Sequence, residues 1–325
     1  MISNSSLREM GNLLRSAESI VIFPHESPDG DALGSCAALC RALRNEGKDA
    51  WVLLDEEIRG YLEFMDTEYC TTDIDCVSMP DICICVDCSE ENRFSGRAEK
   101  FREGKTKLCI DHHVTAGSFG DFYYIDGGEA ATAQIIYKLL REMDIEIEKT
   151  IAESLYVGIS TDTGSFRHSN TTAETHMIAS QLFGCGIDHQ KLVINLYNSV
   201  SYKQTRMESA ILEKMELIAD GKAAVSYVTS AMLEAESAEL GDCEAVIDRL
   251  RDIKGVEIAA FLKEKNGAVK VSMRAKSYGR VDSIAVKYGG GGHVKAAGCD
   301  LAGSMYDVIN NISGQIEKQL LGQDK

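Results

Sequence analysis

Four separated segments carry residues that could do chemistry. His25, Asp29 and Asp31 follow the apolar run SIVIF, and Asp87 follows ICICV. Asp111, His112 and His113 close KLCIDHH, and Asp162 lies within STDTGSFRH. Carboxylates and imidazoles either move protons or hold divalent cations. Taken singly, an aspartate after a strand usually caps a helix, and a histidine pair usually lies on the surface. The joint pattern differs, because five of the seven histidines (His25, His112, His113, His168 and His293) fall in or beside such motifs. His176 and His189 fall outside them and read as structural. Several carboxylates in one crevice raise one another's pKa values or bind a cation. A mixed histidine and aspartate set suits Mn2+ better than Mg2+ or Ca2+, which favour oxygen alone. So many carboxylates suit two ions about 3.5–4 Å apart, with Asp87, alone after a central strand, as the bridging ligand.

Convergence needs a scaffold. Apolar runs at 19–23, 50–54, 82–86, 107–110 and 122–125 read as strands. Between them Ala32, Cys36, Leu39, Cys40 and Leu43 recur at helical spacing, Gly47 supplies a stop, and helices are expected at 129–143 and 150–160. This alternation predicts an α/β unit, a doubly wound parallel sheet covered on both faces. Residues just past the strand C-termini then gather at one edge, where such sheets bind ligands.

The pattern changes further along. Residues 201–220 are polar but helical in pattern and read as a connecting helix, with a domain boundary near 195–215. Strands are expected at 223–229, 256–262 and 268–274, and Asn266-Gly267 signals a hairpin. In the last strand Val269, Val271 and Met273 alternate with Lys270, Ser272 and Arg274, so one face is apolar and the other polar. The run GGGGH at 289–293 follows a short helix and reads on its own as a loop, and 305–321 reads as a terminal helix. The expected second domain is α+β with a mixed sheet. Glycines let backbone N–H groups approach phosphate, with His293 and Lys295 as further donors. Arg274 suits bidentate phosphate contacts.

A chain of 325 residues suggests about two domains. No apolar run approaches the ~18 residues of a membrane helix, and the N-terminus lacks the pattern of a signal peptide. A cytoplasmic location is therefore expected, with no membrane partner. The eleven cysteines are odd in number and sit in apolar settings, as buried thiols do. Cys85 and Cys88 form a C-x-x-C, without the second pair that a zinc ribbon needs. The net charge of −17 argues against nonspecific binding of long duplex nucleic acid. It leaves room for a small anionic substrate, since distant charge is screened beyond ~8 Å.

The segments HESPDGDALGS, VDCS, IDHH and STDTGSFRH resemble, in order, the four motifs of the DHH phosphoesterase superfamily. VSMRAK and GGGGHVKAAG resemble the DHH-associated C-terminal domain. The resemblance runs over about residues 10–320, and the two-domain layout is similar to the nanoRNase (oligoribonuclease)/pAp phosphatase group and to stand-alone cyclic-dinucleotide or linear-dinucleotide phosphodiesterases. It implies a DHH domain at 1–195, a connecting helix at 196–220 and a substrate-binding domain at 221–325, with the active site in the cleft between the domains. It implies that His25, Asp29 and Asp87 hold one Mn2+ and that Asp31, Asp87, His112 and Asp162 hold another, with Mg2+ or Co2+ as substitutes. His113 would contact the scissile phosphate and assist the leaving oxygen, with Asp111 orienting the histidines. Arg274, Ser272 and His293, with backbone from Gly291 and Gly292, would grip a terminal phosphate, while Arg167 and His168 would touch base or phosphate. Ala275 stands where the family commonly has serine, which removes one phosphate hydrogen bond. The implied reaction is in-line attack of a bridging hydroxide on short single-stranded RNA and linear dinucleotides, giving mononucleotides, and on pAp, giving AMP. A homodimer is also implied. The alternatives are a cyclic di-AMP phosphodiesterase and a nucleotide sensor that has lost catalysis. An inorganic pyrophosphatase is disfavoured, because its second domain carries a different basic motif.

Overall fold

Alternation within each apolar run decides how the first sheet is covered. In Ile82–Val86 every residue is buried. Ile82, Ile84 and Val86 join one apolar cluster, whereas Cys83 and Cys85 join another on the opposite face. A strand with both faces buried belongs at the centre of a parallel sheet.

The computed structural model describes residues 2–58, 60–65, 67–113, 119–265 and 267–322, in two units that meet in sequence at Ser199 and Val200. The first unit contains strands β1 (Ile2–Ser3), β2 (Ser19–Phe23), β3 (Asp49–Leu53), β4 (Cys70–Thr71), β5 (Ile82–Val86), β6 (Thr106–Asp111) and β7 (Phe122–Ile125). Its helices are α1 (Leu7–Ser16), α2 (Gly30–Asn45), α3 (Ala98–Glu103), α4 (Thr132–Glu142), α5 (Lys149–Asp162), α6 (Ala173–Gly184) and α7 (His189–Tyr197). The sheet order is β1-β7-β6-β5-β2-β3-β4, parallel throughout except for β1, which runs antiparallel to β7. The expected α/β architecture is present. The two edge strands β1 and β4 were not expected, and at two residues each they are too short to show a hydrophobic period.

Helices α2 and α5 pack closely because glycine removes the side chain between them. A Cβ on Gly34 would lie 2.5 Å from the Ser154 carbonyl oxygen. One on Gly158 would lie 2.6 Å from Ala133 Cβ and 2.8 Å from Asp31 Oδ1.

The second unit contains α8 (Tyr202–Glu213), β8 (Glu216–Ile218), β9 (Ala223–Val228), α9 (Ser230–Ala235), α10 (Val246–Asp252), β10 (Ile258–Lys265), β11 (Ala268–Ala275), α11 (Val281–Lys287), β12 (Gly291–His293), β13 (Ala296–Ala302) and α12 (Met305–Leu320). Its sheet runs β12-β13-β11-β10-β9-β8, and only β9 and β10 pair in parallel. The helix expected at 201–220 stops at Glu213. Residues 216–218 instead pair antiparallel with β9 through a turn in which Ala219, Asp220 and Gly221 all have positive φ. Met207 and Ile211 of α8 are fully buried with Val228 and Phe261, so α8 is part of this unit's core. The glycine run is not wholly a loop, because Gly291–His293 pairs with β13. The β10–β11 hairpin closes at Lys265 and Ala268, while Asn266 lies outside the described residues. Among the described residues no helix is long and apolar enough to cross a membrane.

Glu257, 4% exposed, organises the loop after β11. Its Oε1 accepts from the backbone N–H groups of Ser277, Tyr278 and Gly279 at 2.6–2.8 Å, and its Oε2 accepts from Ser277 Oγ. Burial pushes the carboxyl pKa up, but these donors outweigh it and leave the group below its ordinary value. A depressed folded pKa gives stability that is present above the unfolded value of about 4.3 and is lost as pH falls through the folded one. Glu257→Gln should therefore cost about 1–2 kcal/mol at neutral pH. In urea titrations at several pH values, that deficit should hold constant above about pH 5 and shrink in acid. A pH-independent deficit would show that the charge contributes nothing.

Candidate metal centre

Parallel pairing of β6, β5 and β2 sets three strand ends side by side. His25 lies two residues beyond β2, Asp87 directly follows β5, and Asp111 ends β6 ahead of His112 and His113. Helix α2 contributes Asp29 at its N-cap and Asp31 in its first turn. Helix α5 contributes Asp162 as its last residue. Asp87 has φ +58°, a left-handed conformation that costs about 1 kcal/mol outside glycine, asparagine and aspartate. Its N–H is held by the Ile110 carbonyl at 2.9 Å.

The potential ligand atoms form three overlapping trios: His25, Asp29 and Asp87; Asp31, His112 and Asp162; and Asp87, His112 and His113. His25 Nε2 stands 4.0 Å from Asp29 Oδ1 and 3.8 Å from Asp87 Oδ2. His112 Nε2 stands 3.8 Å from Asp31 Oδ2, 3.8 Å from Asp87 Oδ1 and 3.6 Å from Asp162 Oδ2. These gaps are too long for hydrogen bonds. They match two atoms that each lie about 2.1 Å from a common cation.

The tautomers sharpen that fit. His25 Nδ1 lies 2.7 Å from the Glu26 carbonyl oxygen, and His112 Nδ1 lies 3.2 Å from that of Glu129. A carbonyl can only accept, so each Nδ1 carries a proton, and Nε2 is the ring nitrogen left to face carboxylate oxygens. Acceptors facing acceptors in a buried place call for a cation, and a carbonyl behind each ring orients it as a metal ligand.

Electrostatics point the same way. Burial raises the pKa of Asp31 and of Asp87, the latter well above the usual range with Asp31, Asp29 and Asp111 adding to it. Burial and Asp31 push Asp162 up to about 7. Among the described residues none of these aspartates forms an ion pair with lysine or arginine. Burial holds His25 below its ordinary value. His113 is different: its Nδ1 lies 2.7 Å from Asp111 Oδ1, and that hydrogen bond raises its pKa. Burial opposes the ionisation of Asp111, yet its bonds to His113 and Ser89 leave it below its ordinary value.

Several supporting groups were not legible in the sequence. The N-terminus of α4 donates to the site: Thr132 N–H to Asp31 Oδ2 at 2.7 Å, Ala133 N–H to Asp31 Oδ1 at 2.9 Å and Thr132 Oγ1 to Asp87 Oδ1 at 2.7 Å. Ser35 Oγ donates to Asp31 Oδ1 at 3.2 Å. A threonine opening a helix carries no local mark of a partner 101 residues away.

Arg167 and His168 lie outside the trios. Gly164, Ser165 and Phe166 all have positive φ and turn the chain back after α5. Arg167 Nε donates to the Gly164 carbonyl at 2.7 Å, and both side chains are exposed.

In the second unit, register puts Arg274 opposite Ala296 and Ala296 opposite His293. Likewise Ser272 faces Gly298, which faces Gly291, while Gly292 faces Ala297. Arg274, Ser272, Gly291 and His293 thus share one sheet face, and the side chain of His293 lies outside the described residues. A Cβ on Gly292 would lie 2.5 Å from the Ala296 carbonyl oxygen. Lys295 is not the phosphate donor expected, because its ammonium binds the carbonyls of Ser277 and Gly279. A cavity of about 380 Å³ opens nearby, lined in part by Lys270, Tyr288, Gly291 and Asp300.

Residues 19–159 match the DHH family, N-terminal domain, and residues 220–320 match the DHHA1 domain. A bifunctional oligoribonuclease and PAP phosphatase NrnA of Thermus thermophilus is 33% identical over 301 residues, 91% of this chain and 89% of that protein. The NrnA of Bacillus subtilis is 25% identical over 287 residues, 87% of this chain and 90% of that protein. The crystal structure of an exopolyphosphatase-related protein from Bacteroides fragilis superposes with a TM-score of 0.90 at 25% identity, covering 97% of both chains. The chain therefore belongs to the DHH family, with a DHHA1 domain following the DHH domain, and is a hydrolase acting on phosphodiester bonds.

Proposed function

We propose that this chain is an Mn2+-dependent phosphoesterase that cleaves short linear oligoribonucleotides to mononucleotides and pAp to AMP. The observation that carries this reading is the stance of Asp87, whose Oδ2 faces His25 Nε2 and whose Oδ1 faces His112 Nε2, each at 3.8 Å. One carboxylate shared between two imidazole-aspartate trios is the arrangement of a bridging ligand. The substrate class is supported by the names of relatives matched along nearly their whole length, oligoribonuclease and PAP phosphatase.

In this reading His25, Asp29 and Asp87 hold one ion, and Asp31, Asp87, His112 and Asp162 hold the other. Bound there, the cations would supply a nucleophile from water at neutral pH and neutralise charge on the phosphoryl oxygens. The chain supplies the rest. Thr132 and Ala133 fix the Asp31 and Asp87 carboxylates, so little reorganisation is left for the reaction. Asp111 fixes the His113 ring through Nδ1, and His113 would donate from Nε2 to the departing ribose oxygen. Arg274 and Ser272, with Gly291, Gly292 and His293, would bind a phosphate remote from the cleaved bond. Arg167 and His168 would serve as weaker contacts to base or phosphate. The chain acts in the cytoplasm and as a homodimer, the first unit holding the metal centre and the second the remote phosphate.

A product time course with Mn2+ on pAp, a 5′-phosphorylated dinucleotide, a 5-mer RNA and cyclic di-AMP tests the substrate class. Rapid turnover of the linear substrates is expected, and preference for the cyclic one would make this a second-messenger phosphodiesterase instead. Asp87→Asn removes a buried negative charge from a repulsive cluster. Its metal-free thermal stability should equal or exceed that of wild type, its stabilisation by Mn2+ should vanish, and hydrolysis should fall at least about a hundredfold. A folded Asp87→Asn protein that keeps activity would remove Asp87 from the bridging role. Arg274→Ala should raise KM for phosphate-terminated dinucleotides while sparing bis-p-nitrophenyl phosphate turnover, and equal loss on both would contradict a distal anchor.

A further inference from the structure

We infer that Asn170 is a positioning residue of the metal centre, its carboxamide fixing the Asp162 end of α5 to the segment that holds the other ligands. The inference rests on the phosphoesterase reading above.

Residues 129–133, which lead into α4, hold much of the site. The Glu129 carbonyl faces His112 Nδ1 at 3.2 Å. Thr132 and Ala133 donate to Asp31 and Asp87 at 2.7–2.9 Å. Asp162 arrives separately, as the last residue of α5. Asn170 joins it to that segment. Its Nδ2 donates to the Ala130 carbonyl at 2.9 Å and to the Asp162 carbonyl at 3.2 Å, and stands 3.5 Å from Asp162 Oδ2.

Three acceptors converging on one amide nitrogen decide the orientation of the carboxamide, because turned round its Oδ1 would face all three. Held this way, Asn170 Oδ1 is buried and meets no donor among the described residues. An acceptor buried without a donor lowers folding stability. Stability therefore does not account for the residue. Its gain lies at the Nδ2 end, where it sets the last residue of α5 against the entry to α4.

Asn170 is itself held in place. Thr171 N–H donates to the His168 carbonyl at 3.1 Å, and Thr172 Oγ1 caps α6 by accepting from Thr175 N–H. Thr175 Oγ1 donates to Gln134 Oε1 at 2.7 Å, and Gln134 Nε2 donates to Glu129 Oε2 at 2.8 Å. Thr175 and Gln134 are both buried. The start of α6 is thus tied to residues 129–133, which leaves the carboxamide beside them little freedom. A group one bond behind a ligand in this manner governs how firmly a cation is held.

The test reads Mn2+ binding to the metal-free full chain by calorimetry, beside its melting temperature without metal and kcat on a linear dinucleotide. Asn170→Ala and Asn170→Ser both remove the carboxamide, so either one reports if the other fails to fold. The metal-free melting temperature should stay within about 3 °C of wild type. One of the two Mn2+ sites should weaken about tenfold or more while the other holds, and kcat should fall at limiting Mn2+ and recover in excess. In an Asp162→Ala background the same substitutions should leave Mn2+ binding unchanged. Both Mn2+ affinities within about twofold of wild type, a metal-free melting temperature lowered by more than about 10 °C, or a further loss of Mn2+ in the Asp162→Ala background would each overturn the inference. A wild-type chain that binds no Mn2+ would overturn the metal reading itself. One that binds two ions with this dependence on Asn170, yet cleaves no linear substrate, would overturn the substrate reading alone.

Discussion

Asp31, Asp87 and Asp162 are gathered around His112 Nε2 within 3.6–3.8 Å, and no lysine or arginine among the described residues neutralises them. That concentration of acceptors is the constraint the first unit is built around. Burial alone would drive such carboxyls to protonate, as the raised pKa values of Asp31, Asp87 and Asp162 show. The chain counters with partial positive charge rather than side-chain cations. The first turn of α2 caps onto Asp29, and the first turn of α4 donates two N–H groups to Asp31. These donors hold the ligands in place and leave the net negative charge for divalent cations to complete.

The sheet and the glycines serve that end. Parallel strands place His25, Asp87 and His112 on adjacent strand ends without any of them being near in sequence. Gly158 gives Asp31 its room, since any side chain there would meet the carboxylate at 2.8 Å. The second unit repeats the device without histidines: Glu257 collects three backbone N–H groups and shapes the loop between β11 and α11. In both units a buried carboxylate organises backbone that apolar packing could not.

Much of this was legible from residue types. The runs SIVIF, ICICV and KLCI are short and almost wholly apolar, as strands buried on both faces are, and the groups that follow them had to share an edge. The six aspartates and histidines expected to ligate do come together in space. What escaped notice lacked a local signal. Strand β12 is built from glycines and carries no apolar period, so its pairing with β13 is visible only in register. Residues 201–220 kept a helical rhythm past Glu213, but pairing with β9 overrode it for Glu216–Ile218. Thr132 could not be found by spacing, because its role depends on how α4 docks against α2. Lys295 looked like a phosphate donor, and only the fold shows its ammonium committed to two loop carbonyls.

Diffraction from crystals grown with Mn2+, recorded at the manganese absorption edge, bears most directly on the shared carboxylate. The expected result is two anomalous peaks about 3.5–4 Å apart, one contacted by His25, Asp29 and Asp87, the other by Asp31, His112 and Asp162, with Asp87 reaching both. A single peak, or two peaks of which Asp87 touches only one, would contradict it.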